Sequence, residues 1–226
     1  MNGNQIAVFS ALVLSGSVAL NALAASDPAE PGIADGGMVL VTEDRRGAIY
    51  ADPDVDWSVY EAILLDDATV AFRKNWQRDQ NRASRTQRIQ TRDIERIKND
   101  LAEQFGEVFS AELENRGDFA MADTPAANVL RITPYIVDLD IYAPDVPSAT
   151  YSRSYTDSAG RMTLKLELYD SETGDLIAVA SDHREAPHRG YAQWTTRISN
   201  RADARQMFQQ WAKALNERLL EASGKS

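Results

Sequence analysis

Met162-Thr163-Leu164-Lys165-Leu166-Glu167-Leu168-Tyr169 alternates apolar and polar side chains without a break. A period of two is the pleat of a strand with one face buried and the other wet. The six residues that follow, Asp170-Ser171-Glu172-Thr173-Gly174-Asp175, are turn formers. Residues 176–181 then resume an apolar run, which predicts the returning arm of a hairpin.

Working outward, residues 129–142 predict a second strand that changes phase. Leu130, Ile132 and Ile136 share one parity, and Tyr135, Val137, Leu139 and Ile141 the other. Pro134 stands at the change, which suggests a bulge or an edge position. Residues 60–72 are rich enough in apolar and β-branched side chains to be a strand, broken at Asp66-Asp67. Thr91 is read as the cap of a helix that runs to about Arg116, with Gly117 as its stop. Its Ile94, Ile97, Leu101, Phe105, Val108, Phe109 and Leu113 recur at steps of three and four, so they form one packing stripe. A last helix is predicted from about residue 201 to 222, with Ala204, Met207, Phe208, Trp211, Leu215 and Leu219 buried. The order β-α-β-β-β-α predicts an α+β fold, an antiparallel sheet of about four strands covered by two helices. Residues 48–222 would form a single domain.

Several of these segments carry a resemblance. Val55-Asp56-Trp57-Ser58-Val59-Tyr60, the long helix, Asn128-Val129-Leu130-Arg131-Ile132, Glu167-Leu168-Tyr169-Asp170-Ser171-Glu172-Thr173-Gly174 and Trp211-Ala212-Lys213-Ala214-Leu215 resemble domain-of-unknown-function family 3313. That is a family of Gram-negative envelope proteins, many of them predicted lipoproteins. The resemblance spans roughly residues 45–222. It implies an envelope location and transfers no activity, cofactor or catalytic residue.

The N-terminus points the same way. The first 26 residues carry no ionisable side chain, residues 6–20 are mostly apolar, and Ala22-Leu23-Ala24 offers small residues where a signal peptidase reads. Residues 1–24 are thus expected to be a secretory signal peptide, and residues 25–47 a flexible leader. A retained anchor is the alternative, though Ser15, Gly16, Ser17 and Asn21 interrupt the apolar run. Leu23-Ala24-Ala25 matches three positions of a lipobox, but Ser26 stands where the lipid-accepting Cys is required. No transmembrane helix is expected in the mature chain. The predicted location is the periplasm, free or peripherally bound to a membrane.

Composition narrows the function classes. The 226 residues hold 24 Lys and Arg against 34 Asp and Glu, a net charge of -10, with two His and no Cys. Thiolate zinc, iron–sulfur and cysteine-nucleophile chemistry need a residue the chain lacks. An acidic chain is a poor candidate for nucleic acid, so no nucleic-acid partner is expected. No GxSxG, SxxK, Walker A or GxGxxG motif occurs. Asp52, Asp54 and Asp56 alternate like calcium ligands, but Trp57 and Ile63 occupy the Gly and Glu positions of an EF-hand loop. Asp138 and Asp140, two apart on a strand, would share a face and are read as wet. Asp182, His183, Glu185 and His188 are the only histidine cluster, and nitrogen and carboxylate ligands of this kind could hold zinc. Pro187 rules out a helical HExxH arrangement, so His183 and His188 are weak metal candidates and no cofactor is implied.

The least ordinary segment is residues 73–92. It holds seven basic residues against Asp79 alone, a net +6 that leaves -16 for the rest of the chain. If helical, it would align Arg78, Arg82, Arg85, Arg88 and Arg92 on one face, with Trp76 near its start. Guanidinium binds phosphate and carboxylate bidentately, so the stripe suits an anionic envelope surface or an acidic protein partner. The same stretch would otherwise be a solvated face or pair with the domain's own acids. The sequence thus points to a non-enzymatic periplasmic binding or assembly module. The alternative is a small periplasmic hydrolase or metal-dependent enzyme with a site assembled from distant segments. A purely structural subunit would instead expose an apolar sheet edge.

Overall fold

The computed structural model describes residues 37–83, 88–141, 155–156, 160–186, 193–194 and 197–225. Their elements are β1 Val39–Glu43, β2 Ala48–Ala51, a short 3-10 turn at Trp57–Val59, β3 Ala62–Leu65, β4 Thr69–Phe72, α1 Trp76–Ala83, α2 Thr91–Arg116, β5 Ala120–Met121, β6 Val129–Asp140, β7 Tyr155–Thr156, β8 Arg161–Asp170, β9 Leu176–Glu185, β10 Gln193–Trp194 and α3 Arg197–Ser223. The α+β class holds. The expected sheet of about four strands is too small: eight strands run β1-β2-β9-β8-β6-β3-β5, with β4 also on β6, and β7 pairs β10 separately.

Nor is the sheet wholly antiparallel. β3 and β4 both run parallel to β6, and β5 parallel to β3. Parallel neighbours need a long crossover, which α1 and α2 supply between β4 and β6. The break at Asp66-Asp67 splits residues 60–72 into β3 and β4, laid end to end along β6. Residues 39–43, inside the stretch read as a leader, form β1 and pair with β2.

Pro134 is buried in mid-strand opposite Leu166, not at a change of phase. Ile132 gives its carbonyl to Asp66, so it faces the β3–β4 side. Pro134, two residues on, turns its nitrogen to the same side, where the break between β3 and β4 asks for no donor. The phase changes at Asp138, whose φ of 51° opens a bulge before buried Leu139. The bulge also separates Asp138, which is exposed, from Asp140, which meets Arg73 and Arg161 at 2.9 Å each.

Met162, Leu164, Leu166 and Leu168 are all buried, as their alternation requires. They share one core with Phe105, Val108, Phe109 and Leu113 of α2 and the α3 stripe. Phe105 meets Phe208 edge-on at 5.1 Å, and Gln104 donates to the Arg201 carbonyl, joining the helices side by side. α2 stops at Gly117 (φ 73°), as expected. Its N-cap is Gln90 rather than Thr91, with the Asp93 carboxylate accepting from the Gln90 N–H at 3.0 Å.

Candidate functional surfaces

The basic segment is not one helix. α1 ends at Ala83 and α2 begins at Thr91, so the five arginines do not form a continuous helical stripe. Trp76 belongs to the core: it stacks on Phe72 at 4.0 Å and donates its indole N–H to the Ile141 carbonyl. Ile89 is buried too, and its backbone is clamped by α1. The Asn81 amide accepts from the Ile89 N–H (2.6 Å) and donates to its carbonyl (3.2 Å), and Gln77 donates to the same carbonyl. Side-chain amides here do what a neighbouring strand would do.

That clamp positions the cations. Arg82 and Arg88 each lie one residue from it, and Arg78 is one turn before Arg82. Arg82, Arg88 and Arg92 are exposed and have no ion-pair partner among the described residues. Arg78 is exposed and meets Asp79 at 3.3 Å. Arg73 is absorbed internally by Asp79 (2.8 Å) and Asp140, and the Arg73 contact holds the Asp79 carboxyl below its ordinary range. Arg85 lies outside the described residues.

A second surface was not foreseen. Between α3 and the β1–β2–β9 end of the sheet runs a groove of about 490 Å³. Its wall includes Leu164, Leu166, Leu168, Leu215 and Leu219, but its floor is Ala51, Ala178 and Ala180. Ala180 and Ala178 stand opposite Leu166 and Leu168 of β8, and Ala51 stands opposite Ala178. Small side chains there leave α3 without a filled interface. Alanine at a core parity beside three leucines was the available sequence signal.

The rim of the groove is polar but balanced. Asp182 accepts from the Trp211 indole and from Arg184 at 2.7 Å each, and Arg46 lies 3.8 Å away. Arg184 also bonds Gln210 and sits over the Trp211 ring. Arg46 pairs with Asp44, and Arg218 with Glu221. Three acids and three arginines leave the rim without net charge.

Strand alternation divides the histidine cluster. Asp182 and Arg184 turn to α3, whereas His183 has the other parity and meets Thr163 through Nδ1 at 3.0 Å. His183 also borders a smaller cavity of about 350 Å³ beside Glu185 and Asp203, with Arg46 and Arg184. His188 lies outside the described residues. Among those residues no three His, Cys, Asp or Glu side chains stand close enough to hold a metal. Asp52 and Asp56 serve local turns, accepting from Asp54 N–H and from Ser58, and do not converge.

No described helix is long and apolar enough to cross a membrane. No curated protein matches the chain. Among solved structures it is similar to protein XCC0632 of Xanthomonas campestris, a protein of family DUF330. That likeness has 12% identity, covers 77% of this chain and 91% of that one, and has a TM-score of 0.41. It is also similar to the PelC dodecamer of Paraburkholderia phytofirmans (10% identity; 78% and 96% covered; TM-score 0.36). A third likeness is to a putative neuraminyllactose-binding hemagglutinin homolog of Helicobacter pylori (13% identity; 74% and 91% covered; TM-score 0.35). A family model described as "Protein of unknown function (DUF3313)" matches residues 39–215, and the chain belongs to that family.

Proposed function

We propose that this DUF3313 protein is a non-enzymatic binding or assembly module of the cell envelope, exported to the periplasm. In this reading its arginine surface lies against phosphate-bearing envelope components. The observation that carries it is the exposure of Arg78, Arg82, Arg88 and Arg92 on a segment pinned by Trp76 and by the Asn81–Ile89 clamp. A charged side chain held on a fixed backbone loses less freedom on binding than one on a free tail. Each arginine near an anionic surface contributes on the order of 1 kcal/mol, less in salt.

Fractionation of the native protein tests this. The protein should sediment with membranes at low salt and be released by a high-salt wash. Arg78→Gln/Arg82→Gln/Arg88→Gln should abolish sedimentation while leaving the thermal midpoint within a degree or two of wild type, as surface substitutions usually do. A triple variant that still sediments would sink the surface as a binding site.

A further inference from the structure

α2 buries one side of its 26 residues, where Phe105, Val108, Phe109 and Leu113 join the core. Helical spacing sets Arg92, Arg96, Asn99, Glu103, Gly106 and Glu107 on the opposite side, as a ridge that points away from that core. Arg92, Asn99, Glu103 and Glu107 are exposed, and Arg96 keeps 40% of its side chain in solvent.

Charge on this ridge is segregated by sign. Arg92 and Arg96 stand four residues apart, and so do Glu103 and Glu107. At that spacing like charges destabilise a helix, whereas a face that meets only water can mix its signs. Elsewhere α2 does pair opposite signs, Glu95 with Lys98 at 3.1 Å and Glu112 with Arg116 at 2.9 Å. Arg96 has a distant partner in Asp93 at 3.7 Å. Arg92, Glu103 and Glu107 have no ion-pair partner among the described residues. Gly106 is a second local weakness, since glycine is a poor residue for a helix interior. A Cβ built on it would meet nothing within 4 Å, so packing within the chain gives no reason for the gap.

We infer that the ridge is a contact between two copies of this chain, which pair their α2 helices antiparallel about a two-fold axis beside Asn99 and Asp100. At 1.5 Å of rise per residue, Arg96 and Glu103 lie about 10 Å apart along the helix, and Arg92 and Glu107 about 22 Å. Neither pair can close within one chain. Both are centred on the same point of the helix, so one axis brings Arg92 opposite Glu107 of the partner subunit and Arg96 opposite Glu103 of the partner subunit. Symmetry doubles the two pairs to four. Gly106 then stands beside the incoming Arg92 of the partner subunit, where a missing side chain leaves it room. A parallel pairing would set like charges against each other, and an anionic membrane would repel Glu103 and Glu107. The ridge carries both halves of its own complement, as a contact of one patch with itself requires. Exposed ion pairs are individually weak and are screened by salt, so the dimer is weak and salt-sensitive. The inference does not rest on the membrane reading, because Arg78, Arg82 and Arg88 take no part in the contact.

Sedimentation equilibrium on protein expressed from the full-length gene tests this. The wild type should dimerise at an ionic strength of about 10 mM, where the screening length is about 30 Å, and dissociate at about 1 M, where it is about 3 Å. Arg92→Glu/Arg96→Glu should weaken self-association about tenfold or more, and Glu103→Arg/Glu107→Arg should do the same. Mixed in equal amounts, these two variants should form a heterodimer, since each then presents the sign the other needs. Reversing all four positions in one chain should restore the homodimer. The four side chains are exposed or half-exposed, so every variant should keep the circular dichroism of the wild type. Gly106→Gln separates a contact from a structural role. A better helix former should raise the thermal midpoint, yet the dimer should weaken about tenfold or more. Arg78→Gln/Arg82→Gln/Arg88→Gln should dimerise as the wild type does, so failure here and failure of the membrane reading are separable.

A wild type still monomeric at low salt and about 1 mM protein, a concentration that reveals even millimolar affinity, would overturn the proposal. So would a dimer that either double reversal leaves intact, which would assign the contact to another surface. Two reversed variants that fail to combine would rule out the antiparallel pairing.

Discussion

Tyr60 carries the clearest electrostatic signature of any single side chain. It is buried, and its O–H donates to Asp170 at 3.0 Å. Burial, then the hydrogen bond and charge of Asp170, push the phenol up to about 12 from its ordinary 10. The neutral phenol is therefore favoured in the folded chain. Its contribution to stability is whole below pH 10 and is lost as pH rises through about 12. Asp170 shifts the other way, held low first by the Thr173 N–H and also by Tyr60. The thermal midpoint of the wild type should fall between pH 10 and 12 more steeply than that of Tyr60→Phe. Parallel curves would mean that the bond does not form. Tyr60 was legible only as a strand residue, because its partner lies 110 positions away and no local pattern predicts that meeting.

At the scale of elements, the joint between β2 and β9 rests on Gly47. A Cβ built there would stand 1.7 Å from the Ser181 carbonyl oxygen. The β1–β2 turn must pass flush against β9, where His183 donates its N–H to Arg46. Gly47→Ala should therefore cost about 2 kcal/mol or more in denaturant unfolding, with faster hydrogen exchange across residues 39–51. Unchanged stability and exchange would show that the close approach is absent. The β8–β9 hairpin and the stop of α2 at Gly117 were readable because turn chemistry and periodicity are local. β1 was not, because five residues with no alternation after a Pro- and Gly-bearing stretch look like leader. The end-to-end arrangement of β3 and β4 on β6 was equally hidden. Asp66-Asp67 marks a break, but parallel register is decided by what α2 brings back. Asp138 tells a related story: the phase change was expected at Pro134 and falls four residues later, since a proline in a strand reads as a bulge unless its neighbour needs no donor.

For the whole molecule, charge is distributed unevenly: +6 in residues 73–92 against -16 elsewhere. In the proposed contact with an anionic surface, α1 and the start of α2 would supply the cations. At physiological salt the screening length is only about 8 Å. Only cations held at the contact would then act, which is why the salt wash and the arginine triple variant should give the same release. The candidate site was half legible on this scale. Charge clustering exposed Arg78, Arg82, Arg88 and Arg92, whereas the groove emerged only when alanines of β2 and β9 met α3.

The pairing of β2 with β9 also sets a timetable. Ala48 donates to Ser181 across 133 residues of chain. A ribosome adding 5–20 residues per second releases the first two strands on the order of ten seconds before their partner exists. Through that interval Val39, Leu40 and Val41 lack even the support of a sheet behind β2. β1 and β2 therefore cannot complete their sheet until residue 181 has been made.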